Sequence, residues 1–207
     1  IKLALRQLSG ERWTASANAS DSLPSASTYK LFIAYKLFND IKLGKTSLDA
    51  PILSTTVDDC LRIMITISTN QCAEEWLRQW GSRTEFNSYL YAGGFSQATN
   101  FAHSTAVHTS AQDLEKMLLG IYYQNLFEGS ASTKMLDLMK RQIHRKGVPS
   151  GTSAVVADKV GYLWDYYHDA AIVYHPKGTY ILVVMTKGKS WDKIADITRQ
   201  VEAIVYP

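Results

Sequence analysis

The chain has few of the residues that staple or extend a protein. Its 207 residues include two cysteines, five prolines and twelve glycines. Two cysteines exclude a disulfide-built miniature scaffold, and a chain of this length buries roughly 70% of its unfolded surface without one. Cys60 and Cys72 lack C-x-x-C spacing and a second ligand pair, so no zinc site is expected. They read as small buried apolar residues; a disulfide between them stays open, because pairing is not legible from sequence. The low Pro and Gly content excludes collagen-like and disordered chains. The longest aliphatic run, Ile181 to Met185, is far too short to cross a bilayer. Charge of one sign is scarce as well: 22 Lys and Arg stand against 19 Asp and Glu, a net +3 with no block carrying the excess. The densest basic cluster, Lys140-Arg141-Gln142-Ile143-His144-Arg145-Lys146, reads as a solvated helix end. The Tyr and Trp residues fall within apolar patterns, and no nucleic-acid signature is present. Because the chain opens on Ile1, it reads as a processed or excised piece, with any signal peptide or anchor outside it.

What is present is a segregated order of elements. Residues 2–8 and Arg12 to Ala17, separated by Ser9-Gly10, predict a strand hairpin. An apolar helix follows from about Ser27 to Asp40. Thr56-Val57-Asp58-Asp59 caps a helix that reaches about Ile67; Ser68-Thr69-Asn70 interrupts it, and a second helix runs from Gln71 to Trp80. Residues 92–109 carry two His but no carboxylate, Lys or Arg, and read as a long functional loop. Ser110 caps a helix to about Phe127, and another spans Ser132 to Arg141. After Pro149 the period becomes strand-like: Ala154–Gly161, Tyr166–His175 and Thr179–Thr186, with Pro176-Lys177-Gly178 as a turn. Ser190 caps a last helix with Ile194, Ile197, Val201 and Ile204 on one face. The expectation is α+β: an antiparallel sheet from N- and C-terminal strands, flanking helices and an inserted all-helical lobe. A single domain over residues 1–207 is expected, with the sheet lobe at about 1–40 and 150–207 and the helical lobe at about 41–149.

Three short motifs carry chemistry. Ser27-Thr28-Tyr29-Lys30 places a Lys one turn from a Ser at a helix start, where a buried ammonium loses proton affinity and can act as a base. A serine activated by an adjacent base is the recipe for covalent acyl transfer. Ser68-Thr69-Asn70 breaks a buried helix, and Lys159-Val160-Gly161 lies on the first strand after the helical lobe. Each has bland copies elsewhere: Ser190-Trp191-Asp192-Lys193, Ser16-Ala17-Asn18 and Lys42-Leu43-Gly44. Order and setting distinguish the three.

In that order the chain resembles the penicillin-recognising serine acyl-transferases, most closely the class A β-lactamase-like family. Ser25-Ala26-Ser27-Thr28-Tyr29-Lys30-Leu31 is similar to its nucleophile helix. His168 to Tyr174 and Tyr180 to Val184 are similar to its last two strands. The resemblance implies Ser27 as the acylated nucleophile, Lys30 as its proton acceptor and Ser68 as a relay to the leaving nitrogen. It implies Asn70 as a hydrogen-bond partner of the substrate amide, and Lys159 as the source of positive potential for a substrate carboxylate. Gly161 and Tyr162 are implied on the substrate-binding strand, with the N–H groups of Ser27 and Tyr162 forming the oxyanion hole. No metal or organic cofactor is implied. The partner is a small-molecule or peptide acyl substrate of peptidoglycan-related chemistry, the protein is expected to be a monomer, and its place is extracytoplasmic, secreted or at the cell surface.

Three departures qualify the resemblance. Thr69 stands where Asp is usual. Val160 replaces a Thr or Ser whose hydroxyl helps hold the substrate carboxylate. The span from Phe86 to Gln112 contains no Asp or Glu, so the glutamate that activates the deacylating water is missing, although Asn100 is present. The expectation is a serine hydrolase or acyltransferase with weak β-lactam turnover, or alternatively a catalytically impaired binding or sensor domain. His103 and His108 are outside candidates for water activation. A triad through His168 and Asp169 is disfavoured, since adjacent strand residues point to opposite faces.

Overall fold

The N-terminal segment pairs with the far end of the chain. In the computed structural model, which describes residues 1–10 and 13–207, β1 (Lys2–Gln7) lies between β2 (Thr14–Ala17) and β9 (Gly178–Lys187). β8 (Tyr166–His175) and β7 (Val155–Leu163) complete a five-stranded sheet ordered β2-β1-β9-β8-β7. Every neighbouring pair is antiparallel, with registers such as Leu5↔Leu182, Ala170↔Val183 and Gly161↔His168. The expected sheet is therefore present; of the predicted returning strand, Arg12 lies outside the described residues.

Both faces of this sheet are covered. Leu5, Val156, Ala171, Val173, Leu182 and Val184 pack with the terminal helix α7 (Trp191–Val205). Their neighbours Ala4, Ala157, Ala170, Ile172, Ile181 and Val183 join the core of the helical lobe. Strands buried on both sides lose the polar half of the two-residue alternation, so Ala170–Val173 and Tyr180–Met185 are apolar throughout. In α7, Ile194 is buried and Ile197 and Val201 pack beside it. Ile204, expected on the same face, is 79% exposed. Ten residues at 3.6 per turn rotate it roughly 80° from Ile194, off the apolar stripe. Ser190 occupies the N-cap position, but its side chain makes no capping bond.

The helical lobe begins with a short 3-10 turn, Ala26–Tyr29, that runs directly into α1 (Lys30–Lys42). α2 (Val57–Thr66) and α5 (Ala111–Tyr122) start where their caps predict: Thr56 accepts from the Asp59 N–H and Ser110 from the Asp113 N–H. α5 stops short of Phe127, shortly before Gln124 takes a left-handed φ of 59°. α3 (Gln71–Gln79) and α6 (Gly129–Lys140) lie close to expectation. α4 (Arg83–Ala92) was not legible, because its RTEFNSYLYA sequence has a weak apolar period; Ser82 caps it. Two short ladders, β3 (Leu23–Pro24) with β6 (His108–Thr109) and β4 (Pro51–Ile52) with β5 (Thr55–Thr56), trim the lobe.

Cys60 of α2 and Cys72 of α3 are buried, as expected, and the pairing that the sequence left open is present. They form a disulfide with Cα atoms 5.5 Å apart. Their spacing does not reveal that the chain reverses at Ser68-Thr69-Asn70 and lays the two helices side by side. The bond clamps the very break that carries Ser68 and Asn70. Its closed loop has a sequence separation of 12, so replacing both cysteines by Ala should cost about 3 kcal/mol. Denaturant unfolding of that double variant checks this; an unmoved midpoint would mean that packing alone holds the break.

Candidate active site

Ser27 sits on the 3-10 turn between β3 and α1, and this turn is pinned from two sides. On one side Ser25 donates both its N–H (2.8 Å) and its hydroxyl (2.9 Å) to the Val107 carbonyl. Val107 belongs to the long 92–109 loop, which is built around buried Asp113: that carboxylate accepts from Ser96 N, Ser96 Oγ and Thr99 Oγ1. On the other side stands His168, fully buried on β8. Its Nδ1 accepts the Thr186 N–H at 3.1 Å, which leaves the proton on Nε2 to donate to the Pro24 carbonyl at 2.7 Å. Burial pushes its pKa down, which suits this neutral strut. With both nitrogens engaged, His168 cannot serve a triad with Asp169, as its strand position already argued.

Lys30 starts α1 and is wholly buried. Its Nζ lies 3.0 Å from Ser27 Oγ, 2.6 Å from the Ser68 carbonyl, 2.7 Å from Asn70 Oδ1 and 3.4 Å from Ser68 Oγ. Two of these partners are carbonyl oxygens, which can only accept. A neutral amine has two N–H groups and one lone pair, so the carbonyls take both N–H groups and the lone pair remains for the Ser27 hydroxyl. Asn70 holds the N-cap position of α3 without capping it, because its Oδ1 serves Lys30 instead. Ser68 presents its carbonyl to Lys30 while holding a left-handed φ of 62°, a conformation that costs a non-glycine residue about 1–2 kcal/mol.

Lys159 reaches the same point from the sheet. It is fully buried on β7, and its Nζ donates to Ser68 Oγ at 2.8 Å and to the Val160 carbonyl at 3.0 Å. The Ser68 hydroxyl thus stands between two lysines. Burial pulls Lys30 down to about 8, with the Glu74 carboxylate opposing. Burial and the Lys30 charge pull Lys159 down to about 7.

Gly161 explains how β7 comes so close. A Cβ there would lie 3.0 Å from Ala26 Cβ, 3.0 Å from the Ser25 carbonyl and 3.1 Å from Ser27 N. β7 is an edge strand, so its free edge is open to a ligand beside Ser27. Tyr162, 59% exposed, lines the cavities on both sides of Ser27.

One of those cavities, about 170 Å³, is lined by Ser27, Tyr29, Asn70, Glu74, Arg83 and Val107. The other, about 410 Å³, is lined by Ser27, Ser68, Ile143, Arg145, Val160 and Trp191, among others. The basic cluster after α6 is therefore more than a solvated helix end. Gln142 is buried and donates to the Ile65 carbonyl, and Arg145 pairs with buried Asp158 at 2.5 Å. His103 and His108 stack on each other, centroids 3.6 Å apart, and line neither cavity. Asn100 accepts from Asn87 Nδ2 and Ala102 N, bracing the loop rather than facing Ser27.

Behind Lys159 lie two carboxyls, of which sequence reasoning named only Asp169, and that as a disfavoured triad partner. Asp158 and Asp169 are fully buried on β7 and β8, and Asp158 Oδ2 and Asp169 Oδ1 each lack a donor among the described residues. Arg145 anchors one, and the Val148 N–H, at 2.8 Å, anchors the other. Burial pushes both pKa values up, Asp169 to about 7, so below that pH the pair favours holding a proton between its unpartnered oxygens. The signal available was a pair of Asp residues inside strands otherwise free of charge.

A half-buried serine, a desolvated lysine beside its hydroxyl and a second lysine reached through another hydroxyl, at the junction of a sheet and a helical lobe, define a serine hydrolase of the β-lactamase fold. The chain belongs to the β-lactamase enzyme family, whose sequence profile matches residues 1–206. No curated protein matches it by sequence. Among solved structures it is similar to PBP-A, including a point mutant seen as its acyl-enzyme complex with penicillin G. The TM-score is 0.87 at 22% identity, over 99% of this chain and 89% of that one. It is also similar to a β-lactamase from Sphaerobacter thermophilus (TM-score 0.84, 18% identity, 100% and 92% covered). The reconstructed last common ancestor of Gram-negative class A β-lactamases is another relative (0.85, 16%, 99% and 93%).

Two outcomes test this geometry. Gly161→Ala should leave the fold in place but force β7 away from the Ser27 turn, lowering the rate of Ser27 acylation by at least tenfold, on the order of one lost oxyanion donor or less. Acylation kinetics alongside circular dichroism check this. For the carboxyl pair, a raised Asp169 pKa makes the stabilising proton fully present below about pH 4 and lost as the pH rises through about 7. Asp169→Asn keeps an acceptor for Val148 and a donor for Asp158 at every pH. Across pH 4 to 7 the wild type should therefore lose thermal stability relative to this variant; a constant difference would rule out the shared proton.

Proposed function

We propose that the protein forms a covalent acyl-enzyme on Ser27 and hydrolyses it slowly. The observation that carries this reading is Lys30 Nζ at 3.0 Å from Ser27 Oγ with both N–H directions occupied by carbonyls. Lys30 takes the Ser27 proton as Oγ attacks the acyl carbon. Ser68, in reach of both lysines, passes a proton to the leaving nitrogen. The N–H groups of Ser27 and Tyr162 receive the developing oxyanion, and Asn70 hydrogen-bonds the acyl amide. Since Ser68 lines the larger cavity and Asn70 the smaller, the leaving group occupies the first and the acyl group the second.

Lys159 is the electrostatic partner of an anionic leaving group. The Lys30 charge pulls the Lys159 pKa down across Ser68, so near neutral pH the pair favours holding one proton over two. A substrate carboxylate near Lys159 draws that proton to it and leaves Lys30 neutral, the form that acts as base. Val160 brings no hydroxyl to that carboxylate, which weakens recognition of penicillin-like donors. The acid-free 86–112 span supplies no base for deacylation. That penicillin G is held as an acyl-enzyme in a PBP-A mutant of the same fold supports a similar adduct here. Peptidoglycan-related chemistry and an extracytoplasmic monomer are the setting we propose; among the described residues no helix is long and apolar enough to cross a membrane.

Intact-mass spectrometry with penicillin G and with a small uncharged activated ester tests the reading. A persistent adduct should appear on the wild type and be absent from Ser27→Ala. With the uncharged ester, acylation should rise with pH through a midpoint near 8, as Lys30 loses its proton. With the anionic penicillin the midpoint should lie lower. Neither adduct nor product from any donor would favour a binding or sensor domain that keeps the fold without turnover.

A further inference from the structure

The acyl-side cavity does contain a carboxylate, from an element outside the loop where one was sought. We propose that Glu74, on α3, is the general base that activates the water hydrolysing the Ser27 acyl-enzyme; this rests on the Ser27 reading above. Glu74 lines the 170 Å³ cavity together with Ser27 and Asn70. It stands one helical turn beyond Asn70, its N–H bonded to the Asn70 carbonyl at 2.9 Å, so the two side chains share a face of the helix. Asn70 Oδ1 is 2.7 Å from Lys30 Nζ, which is in turn 3.0 Å from Ser27 Oγ. Glu74 thus stands one helical turn beyond a side chain that contacts Lys30, and lines the same cavity as Ser27.

Its carboxylate is also available. Glu74 is exposed, and among the described residues its carboxylate takes no hydrogen bond or ion pair. The adjacent Glu75 is different, since both its oxygens are occupied by Arg78 and Gln79. Arg83 supplies the opposite charge at the rim of the cavity, its guanidinium reaching the Phe101 carbonyl at 3.4 Å. The field of Glu74 is felt at the reacting group, because it opposes the fall of the Lys30 pKa. No other Asp or Glu lines either cavity beside Ser27 among the described residues.

The step balances within these groups. A water in the cavity gives one proton to the Glu74 carboxylate while its oxygen bonds to the acyl carbon. The tetrahedral intermediate then expels Ser27 Oγ, breaking the ester bond. Glu74 passes that proton to the neutral Lys30 amine, which hands it to the departing Oγ and is left neutral again. The carboxylic acid product leaves, and both Glu74 and Lys30 regain their starting states.

The test follows acylation and decay of the adduct separately in the full chain, using penicillin G, intact mass and product release. At a pH well above the Lys30 midpoint, its amine is neutral with or without the Glu74 charge. There Glu74→Gln should be acylated at the wild-type rate while its adduct persists on the order of 10²-fold longer, and Glu75→Gln should match the wild type in both. If the wild type turns over with no visible adduct, accumulation in Glu74→Gln carries the same meaning. Equal decay in Glu74→Gln and wild type would overturn the proposal, as would an equal loss in both steps, which would make Glu74 a positioning residue for Lys30. Absence of both adduct and product in the wild type would instead sink the Ser27 reading.

Discussion

The site depends on one constraint: two lysine side chains are taken out of water at the junction of sheet and helical lobe. A buried ammonium is costly unless acceptors surround it or it gives up its proton. Lys30 and Lys159 meet this constraint in both ways. The Ser68 and Asn70 carbonyl groups and the hydroxyls of Ser27 and Ser68 surround Lys30, while both lysines fall toward neutral pH in affinity for their protons. The same desolvation that makes them costly to bury makes Lys30 a usable base.

Much of the remaining structure serves to hold the acceptors in place. Ser68 and Asn70 sit on a helix break with a left-handed residue, and the Cys60–Cys72 disulfide ties together the two helices on either side of it. Gly161 lets β7 carry Lys159 up against the Ser27 turn, and His168 fastens the segment ahead of that turn to β8 and β9. On the opposite face of the same strands, the buried carboxyls of Asp158 and Asp169 are braced by Arg145 and Val148, and burial raises the pKa of both. Edge strand, Ser27 turn and helix break are thereby coupled through side chains from distant parts of the chain.

The 92–109 loop shows how order can be achieved without charge. Phe95, Phe101 and Val107 are buried, and Asp113 gathers the loop's hydroxyl and amide groups. The loop positions Ser25 through Val107 and contributes apolar walls to the acyl-side cavity. It contributes no acid. The carboxylate at that cavity comes from α3, so the division of roles differs from what the loop's length and histidines suggested.

The sequence by itself determined the five strands of the main sheet and most helices, because capping residues and apolar period are local rules. Motif order and the family resemblance singled out Ser27, Lys30, Ser68, Asn70, Lys159 and Gly161, and the fold brings these residues together. α4 escaped for want of a clear period, and Ile204 was misassigned because a stripe read by eye drifts around a helix. Tertiary structure alone decided the rest, since contacts between residues far apart in sequence leave no local trace. Among these are the pairing of Cys60 with Cys72, the carboxyl pair Asp158–Asp169, and His168 acting as a strut. The turn that brings Glu74 to the cavity while His103 and His108 stack away from it is another. Spacing reports which residues share an element; only the packing of elements reports which side chains share a proton.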